Sequence, residues 1–200
     1  MIKNVLFDFG QVLVHFEPEY MVRQYVTDEK DVKLLSEVVF DRLYWDRLDL
    51  GTITDEETID LCRERLPERL WEVAEKIYWN WIYNIPEIEG MYDLVKYLKE
   101  THRVGLFLLS NISHYFANHS GEMRILGLLD GCVFSSRVGV CKPDHKIFDH
   151  VCEKFGIKAE ETVFVDDNAS NIKSSIEYGL NGYLFDGDAK KLKEYLDTVL

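Results

Sequence analysis

Five short apolar runs, each ending abruptly in a polar residue, constrain this chain more than any other feature. Residues 2–7, 104–109, 132–134, 162–165 and 183–185 are rich in Val, Leu and Phe. They give way to Asp8, Ser110, Ser135, Asp166 and Asp186. Runs with so little polar alternation predict strands buried on both faces, as in a parallel sheet. Helical patterns lie between the later runs. Met91, Leu94, Val95 and Leu98 follow the spacing of a one-faced helix, as do Ile147, Phe148, Val151, Cys152 and Phe155. Leu192, Tyr195, Leu196 and Val199 form a closing one. Strands alternating with helices predict an α/β fold, a doubly wound parallel-sheet (Rossmann-like) core. Ligands of such folds bind at the carboxyl ends of the strands. That places Asp8, Ser110 and Asp166 in one neighbourhood.

Residues 16–86 break the alternation. No convincing strand occurs there, and the periodicity is helical through Ile59, Cys62 and Leu66, then Leu70, Val73, Ala74, Ile77 and Trp81. Thr54 followed by Glu57 reads as a capping box. All four tryptophans fall in this segment: Trp45, Trp71, Trp79 and Trp81. The expected organisation is a catalytic core of residues 1–15 and 87–200 with an inserted helical cap domain, 16–86. The alternative is that this segment packs as part of one domain.

The chain has 200 residues, enough to bury a core without metal or disulfide staples. Asp and Glu number 36 against 23 Lys and Arg, a formal charge of −13. A basic stripe of the kind that tracks phosphodiester backbones is missing, so the expectation is no nucleic acid partner and no anionic membrane surface. Cys62, Cys132, Cys141 and Cys152 are scattered, with no C-x-x-C pair. The N-terminus runs straight into a strand-like stretch, so neither a signal peptide nor a membrane span is expected. A cytoplasmic protein with reduced cysteines, monomer or homodimer, is expected.

Four local patterns carry chemistry. In Val5-Leu6-Phe7-Asp8-Phe9-Gly10-Gln11-Val12-Leu13, a charged side chain directly follows a buried strand, with a glycine two residues on. Leu108-Leu109-Ser110-Asn111 offers a hydroxyl and an amide at a strand end, able to donate to a phosphoryl oxygen. Lys142-Pro143-Asp144 precedes an apolar-faced helix, and Pro143 suits a first helical turn, which puts Lys142 at a helix entry that favours anions. Val163-Phe164-Val165-Asp166-Asp167-Asn168 sets two adjacent carboxylates at a strand end, where they repel unless a cation or lysine compensates. Taken singly, each also reads as an ordinary turn, cap or solvated surface group.

Together and in this order, these motifs resemble the haloacid dehalogenase-like hydrolase superfamily, and the resemblance covers essentially the whole chain. It is most similar to the helical-cap phosphatases, in particular bacterial sugar-phosphate phosphatases of the α-D-glucose 1-phosphate phosphatase type. The resemblance implies an Mg²⁺-dependent phosphatase acting on a small phosphorylated metabolite such as glucose 1-phosphate. Asp8 would be the nucleophile that becomes an aspartyl-phosphate. Asp8, Asp167 and the carbonyl of Gly10 would hold Mg²⁺. Ser110 and the N–H of Asn111 would orient phosphoryl oxygens, and Lys142, paired with Asp166, would neutralise charge. Trp45 or Asp46 of the cap is expected to contact substrate. The alternatives are a non-catalytic phospho-ligand binding module and a 2-haloacid dehalogenase.

One position departs from the family pattern. Phosphatases of this superfamily usually carry a second Asp two residues after the nucleophile as general acid and base, and here that position is Gly10. Gln11, His15 and His114 are the candidate substitutes. Otherwise the substrate must need less help, as an anomeric phosphate does because its leaving oxygen is unusually acidic.

Overall fold

The computed structural model describes residues 1–101 and 104–200. Five strands form one parallel sheet: β1 (Asn4–Phe7), β2 (Gly105–Ser110), β3 (Gly131–Phe134), β4 (Thr162–Asp166) and β5 (Asn181–Leu184). They run in the order β3-β2-β1-β4-β5. Phe7 is in register with Leu108 on one side and Val165 on the other. The strand order therefore reverses at β1, and the crevice beside a reversal is where open α/β sheets bind ligands. All five expected strands form.

Alternate residues serve two cores. Val5, Phe7, Leu106, Leu108, Val163 and Val165 face one apolar cluster, while Leu6, Phe107, Leu109 and Phe164 face the other. The second is closed by the helices His145–Phe155 and Ala169–Tyr178, through Ile147, Phe148, Val151 and Ile172. The helices Met91–Thr101 and Ala189–Val199 close the first. Burying each large side chain contributes about 1.5–3 kcal/mol. The expectation of two-sided burial fails at both edges: in β3 only Val133 is buried, and in β5 Leu184 is exposed and its three neighbours are half-buried. An edge strand has a neighbour on one side only.

Residues 18–83 form helices and short 3-10 turns only. The capping box is present: Thr54 Oγ1 accepts from Glu57 N–H at 3.1 Å and Thr54 N–H donates to Glu57 Oε2 at 2.9 Å. The chain leaves and rejoins the α/β part at adjacent points, where His15 N–H donates to Pro86 C=O at 2.8 Å. The helical segment is joined to the sheet by an aromatic chain. Trp45 packs on Trp81 at 5.3 Å, Trp81 stacks on Phe116 at 5.6 Å, and Phe116 meets Phe9 at 4.6 Å. One apolar cluster thus runs from the sheet face into the helical segment.

That continuity predicts cooperative unfolding. Because every tryptophan lies in residues 16–86, tryptophan fluorescence reports that segment and far-UV circular dichroism reports the whole chain. The two urea midpoints should coincide, and Phe116→Ala should lower both by the same amount, with a loss of about 3–5 kcal/mol. A fluorescence midpoint well ahead of the dichroism midpoint would contradict this.

Candidate active site

Asp8 continues β1: its N–H donates to Val165 C=O at 2.9 Å. That bond holds its backbone against β4 and places Asp8 beside Asp166, the last residue of that strand. Lys142 arrives from the loop before the helix His145–Phe155. Its Nζ lies 2.7 Å from Asp8 Oδ1 and 2.8 Å from Asp166 Oδ2, with the lysine side chain 1% exposed. Asp166, wholly buried, also accepts from Asn168 N–H at 2.8 Å and from Asn171 Nδ2 at 3.1 and 3.0 Å. This carboxylate is fully engaged and acts as a fixed counter-ion for the lysine. The lysine backbone is clamped in turn, its N–H donating to Asn111 Oδ1 at 2.8 Å and its C=O accepting from Asn111 Nδ2 at 3.0 Å.

Two expectations change here. The helix begins at His145 with Asp144 as its N-cap, so Pro143 precedes the cap and Lys142 lies outside the first turn. Lys142 is placed by Asn111 and its carboxylate partners. The Asn111 side chain is engaged in holding that loop, which leaves its backbone as the part available to a ligand.

The electrostatics follow from crowding. Burial pushes the Asp8 carboxyl up to about 7, the Lys142 ammonium pulls it back, and Asp166 adds to the rise. Burial alone works against the Lys142 charge, yet Asp8 and Asp166 outweigh it and hold its pKa above the ordinary lysine value. Asp167 is also raised, by burial and then by Asp166. Carboxylate oxygens of Asp8, Asp166 and Asp167 all lie within 4.8 Å of one another. With Asp166 engaged, Asp8 and Asp167 remain to meet a ligand. An all-oxygen donor set of two carboxylates, open to water on the Asp167 side, fits a hard divalent cation. A cation there would also relieve the crowding that raises both groups.

A cavity of about 340 Å³ opens over these residues. Asp8, Gly10, Gln11, Ser110, Asn111, Lys142 and Asp167 line its floor, and Phe16, Arg42, Trp45, Asp49 and Trp81 supply walls from the helical segment. Trp45 presents only its ring, since its indole N–H donates to Val39 C=O at 2.9 Å. Asp46 is not part of the lining; it is exposed and pairs with Arg42 at 2.5 Å. Arg42, Trp45 and Asp49 share the cavity side of the helix Arg42–Asp49 because i, i+3 and i+7 fall on one face. That spacing was the available signal for Arg42 and Asp49, which sequence reasoning missed. Gln11 lines the cavity, but His15 and His114 do not. The Cys141 thiol is pushed up by burial and so is not an activated nucleophile. A larger surface groove of about 840 Å³ includes Glu87 and Arg124, which pair with each other, and no residue from these strand ends.

Comparison with known proteins agrees with this fold. Residues 2–179 match the haloacid dehalogenase-like hydrolase family, and the chain belongs to it. A D-ribitol-5-phosphate phosphatase of Bacteroides thetaiotaomicron is 26% identical over 196 residues, covering 92% of this chain and 91% of that protein. A HAD-like family hydrolase of Porphyromonas gingivalis superposes with a TM-score of 0.73 at 21% identity, covering all of this chain and 98% of the other. A HAD family enzyme of Bacteroides thetaiotaomicron, solved with magnesium and inorganic phosphate, gives 0.71 at 21% identity over 96% and 99% of the two chains.

Replacing Lys142 by Met leaves three carboxylates facing one another. Removing one partner of a buried ion pair costs about 3–5 kcal/mol, which lowers the Tm of a chain this size by about 6–20 °C. A thermal melt at pH 8 measures the loss. A variant that melts with the wild type would contradict the placement of this lysine.

Proposed function

We propose that this hydrolase is an Mg²⁺-dependent phosphatase of small phosphorylated metabolites, working through an aspartyl-phosphate on Asp8. The observation that carries the reading is the buried Lys142 ammonium shared between Asp8 and Asp166, with Asp167 beside them. It sets a nucleophile, a fixed cation and a candidate metal position at one strand edge. The Asp8 carboxylate attacks phosphorus in line as the ester P–O bond breaks. Water then attacks the same phosphorus, and the acyl-phosphate P–O bond breaks to return free Asp8. Lys142 and Ser110 hold the phosphoryl oxygens, and the N–H of Asn111 adds a donor at the end of β2. Catalysis of this kind is positioning and electrostatic stabilisation. Asp8, Asp167 and the carbonyl of Gly10 would hold Mg²⁺, which would supply the positive charge that lets a phosphate dianion approach a carboxylate.

Residues 16–86 act as the cap that completes the cavity. Its size and mixed aromatic and polar walls suit a sugar or polyol phosphate, glucose 1-phosphate among them. The resemblance of the motifs and the ribitol-phosphate activity named for the relative both support that substrate class. Dehalogenation of a 2-haloacid is disfavoured, because Asp167 would repel the carboxylate of the substrate.

Two measurements test the reading. Wild-type protein with MgCl₂ should release phosphate from a panel of hexose, pentose and pentitol phosphates, while EDTA or Asp8→Asn should reduce release to background. Equal release with and without EDTA would overturn the metal requirement. Saturating Mg²⁺ should also stabilise the fold, by about 1.4 kcal/mol at ten times its dissociation constant, or about 3–6 °C in Tm. Asp167→Asn should abolish that shift.

A further inference from the structure

Resting on the phosphatase reading, we propose that Asp49 supplies the general acid and base that this chain lacks at Gly10. Crowding at the Cβ does not explain the glycine there, since a Cβ built on Gly10 meets nothing closer than Phe16 Cβ at 3.9 Å. A substrate whose leaving group is an ordinary alcohol then needs another titratable group to move the proton. Of the titratable side chains lining the cavity, Lys142 is held by the buried Asp166 behind it, while Asp8 and Asp167 face the phosphate and metal. Asp49 remains.

Its environment is unusual for a carboxylate. Asp49 is 5% exposed, yet its Oδ1 has no hydrogen-bond partner. Buried polar atoms are nearly always paired, and one left unpaired lowers stability unless something else uses it. The residue also ends the helix Arg42–Asp49, where the helix dipole disfavours an anion. Arg42 lines the same cavity, but its guanidinium pairs with Asp46.

The position is held rigidly. Ser135 Oγ, at the end of β3, donates to Asp49 C=O at 2.6 Å and accepts from Ile112 N–H at 2.8 Å. The loop after β2 and the end of β3 thus fix this turn of the cap over the strand ends. Precise support of this sort is what a proton-transfer group needs. Burial also pushes the carboxyl up to about 7; Arg42 and Lys142 oppose the rise, and Asp46 and Asp8 add to it. A group poised there serves as acid in one half-reaction and base in the next.

The proton balance closes. Protonated Asp49 gives its proton to the ester oxygen as the P–O bond breaks, so the alcohol leaves neutral and Asp49 becomes a carboxylate. That carboxylate takes a proton from water as the water oxygen attacks the phosphoryl group on Asp8. Phosphate departs, and the protonated acid is restored.

Rapid mixing of wild type and Asp49→Asn, with Mg²⁺, tests this on a pentitol phosphate and on p-nitrophenyl phosphate. The alcohol needs a proton to leave, so kcat on the pentitol phosphate should fall about 10²–10⁴-fold with KM little changed. Nitrophenolate leaves unaided, so the variant should release one equivalent per enzyme in a fast burst and then turn over slowly for want of a base. The Asn variant should melt no lower than wild type at pH 8, because an amide is easier to bury than an unpaired carboxylate. A rise in KM with kcat intact would assign Asp49 to substrate binding and overturn the proposal. So would loss of the burst, turnover of both substrates by the variant at the wild-type rate, or a large drop in its Tm. Wild type inactive on both substrates would sink the phosphatase reading itself, and this inference with it.

Discussion

One buried ammonium group organises the strand ends of this protein. Lys142 stands between Asp8 and Asp166, and without it the carboxylates at the ends of β1 and β4 would repel each other in a region that water barely reaches. The pairing is stable because each partner is anchored separately. Asp166 is saturated by Asn168 and Asn171, Asp8 is fixed by its ladder bond to β4, and the lysine backbone is gripped by Asn111 at the end of β2. The geometry at the edge therefore derives from three strands and one loop. A site assembled in this way keeps its shape when charge moves through it, which electrostatic catalysis requires.

The helical segment depends on the same edge. Its aromatic chain, Trp45 to Trp81 to Phe116 to Phe9, continues the apolar core of the sheet, and Trp45 and Trp81 line the same cavity as Asp8. The bond from Ser135 to the carbonyl of Asp49 pins the end of one helix to the end of β3. On the proposed roles, selectivity and proton transfer would sit on the cap side and phosphoryl chemistry on the sheet side. The departure at Gly10 makes this division of labour more pronounced than the resemblance alone implies.

Much of the fold was legible because burial on two faces leaves a simple signature. The runs that became β1, β2 and β4 lack polar alternation, and each stops at the residue that faces the crevice. The edge strand β5 was found, but its exposure was not, since strand order is a tertiary property. Asp8, Lys142, Asp166 and Asp167 were all named from sequence, and the structure brings them together. The role of the Asn111 side chain was hidden, because it depends on a contact with Lys142 31 residues away. On the helix Arg42–Asp49 the difficulty was rotational: adjacent residues point about 100° apart, so Trp45 lines the cavity while Asp46 turns to solvent. Knowing that Trp45 faced inward would have nominated Asp49, one turn further along.

The stereochemical course at phosphorus tests the nucleophilic role of Asp8 most directly. A substrate whose transferred phosphoryl group is made chiral with oxygen isotopes and sulfur would be hydrolysed in isotopically labelled water. Two successive in-line displacements, first by Asp8 and then by water, predict retention of configuration. Inversion would mean that water attacks the ester in a single step, and that Asp8 is not the nucleophile.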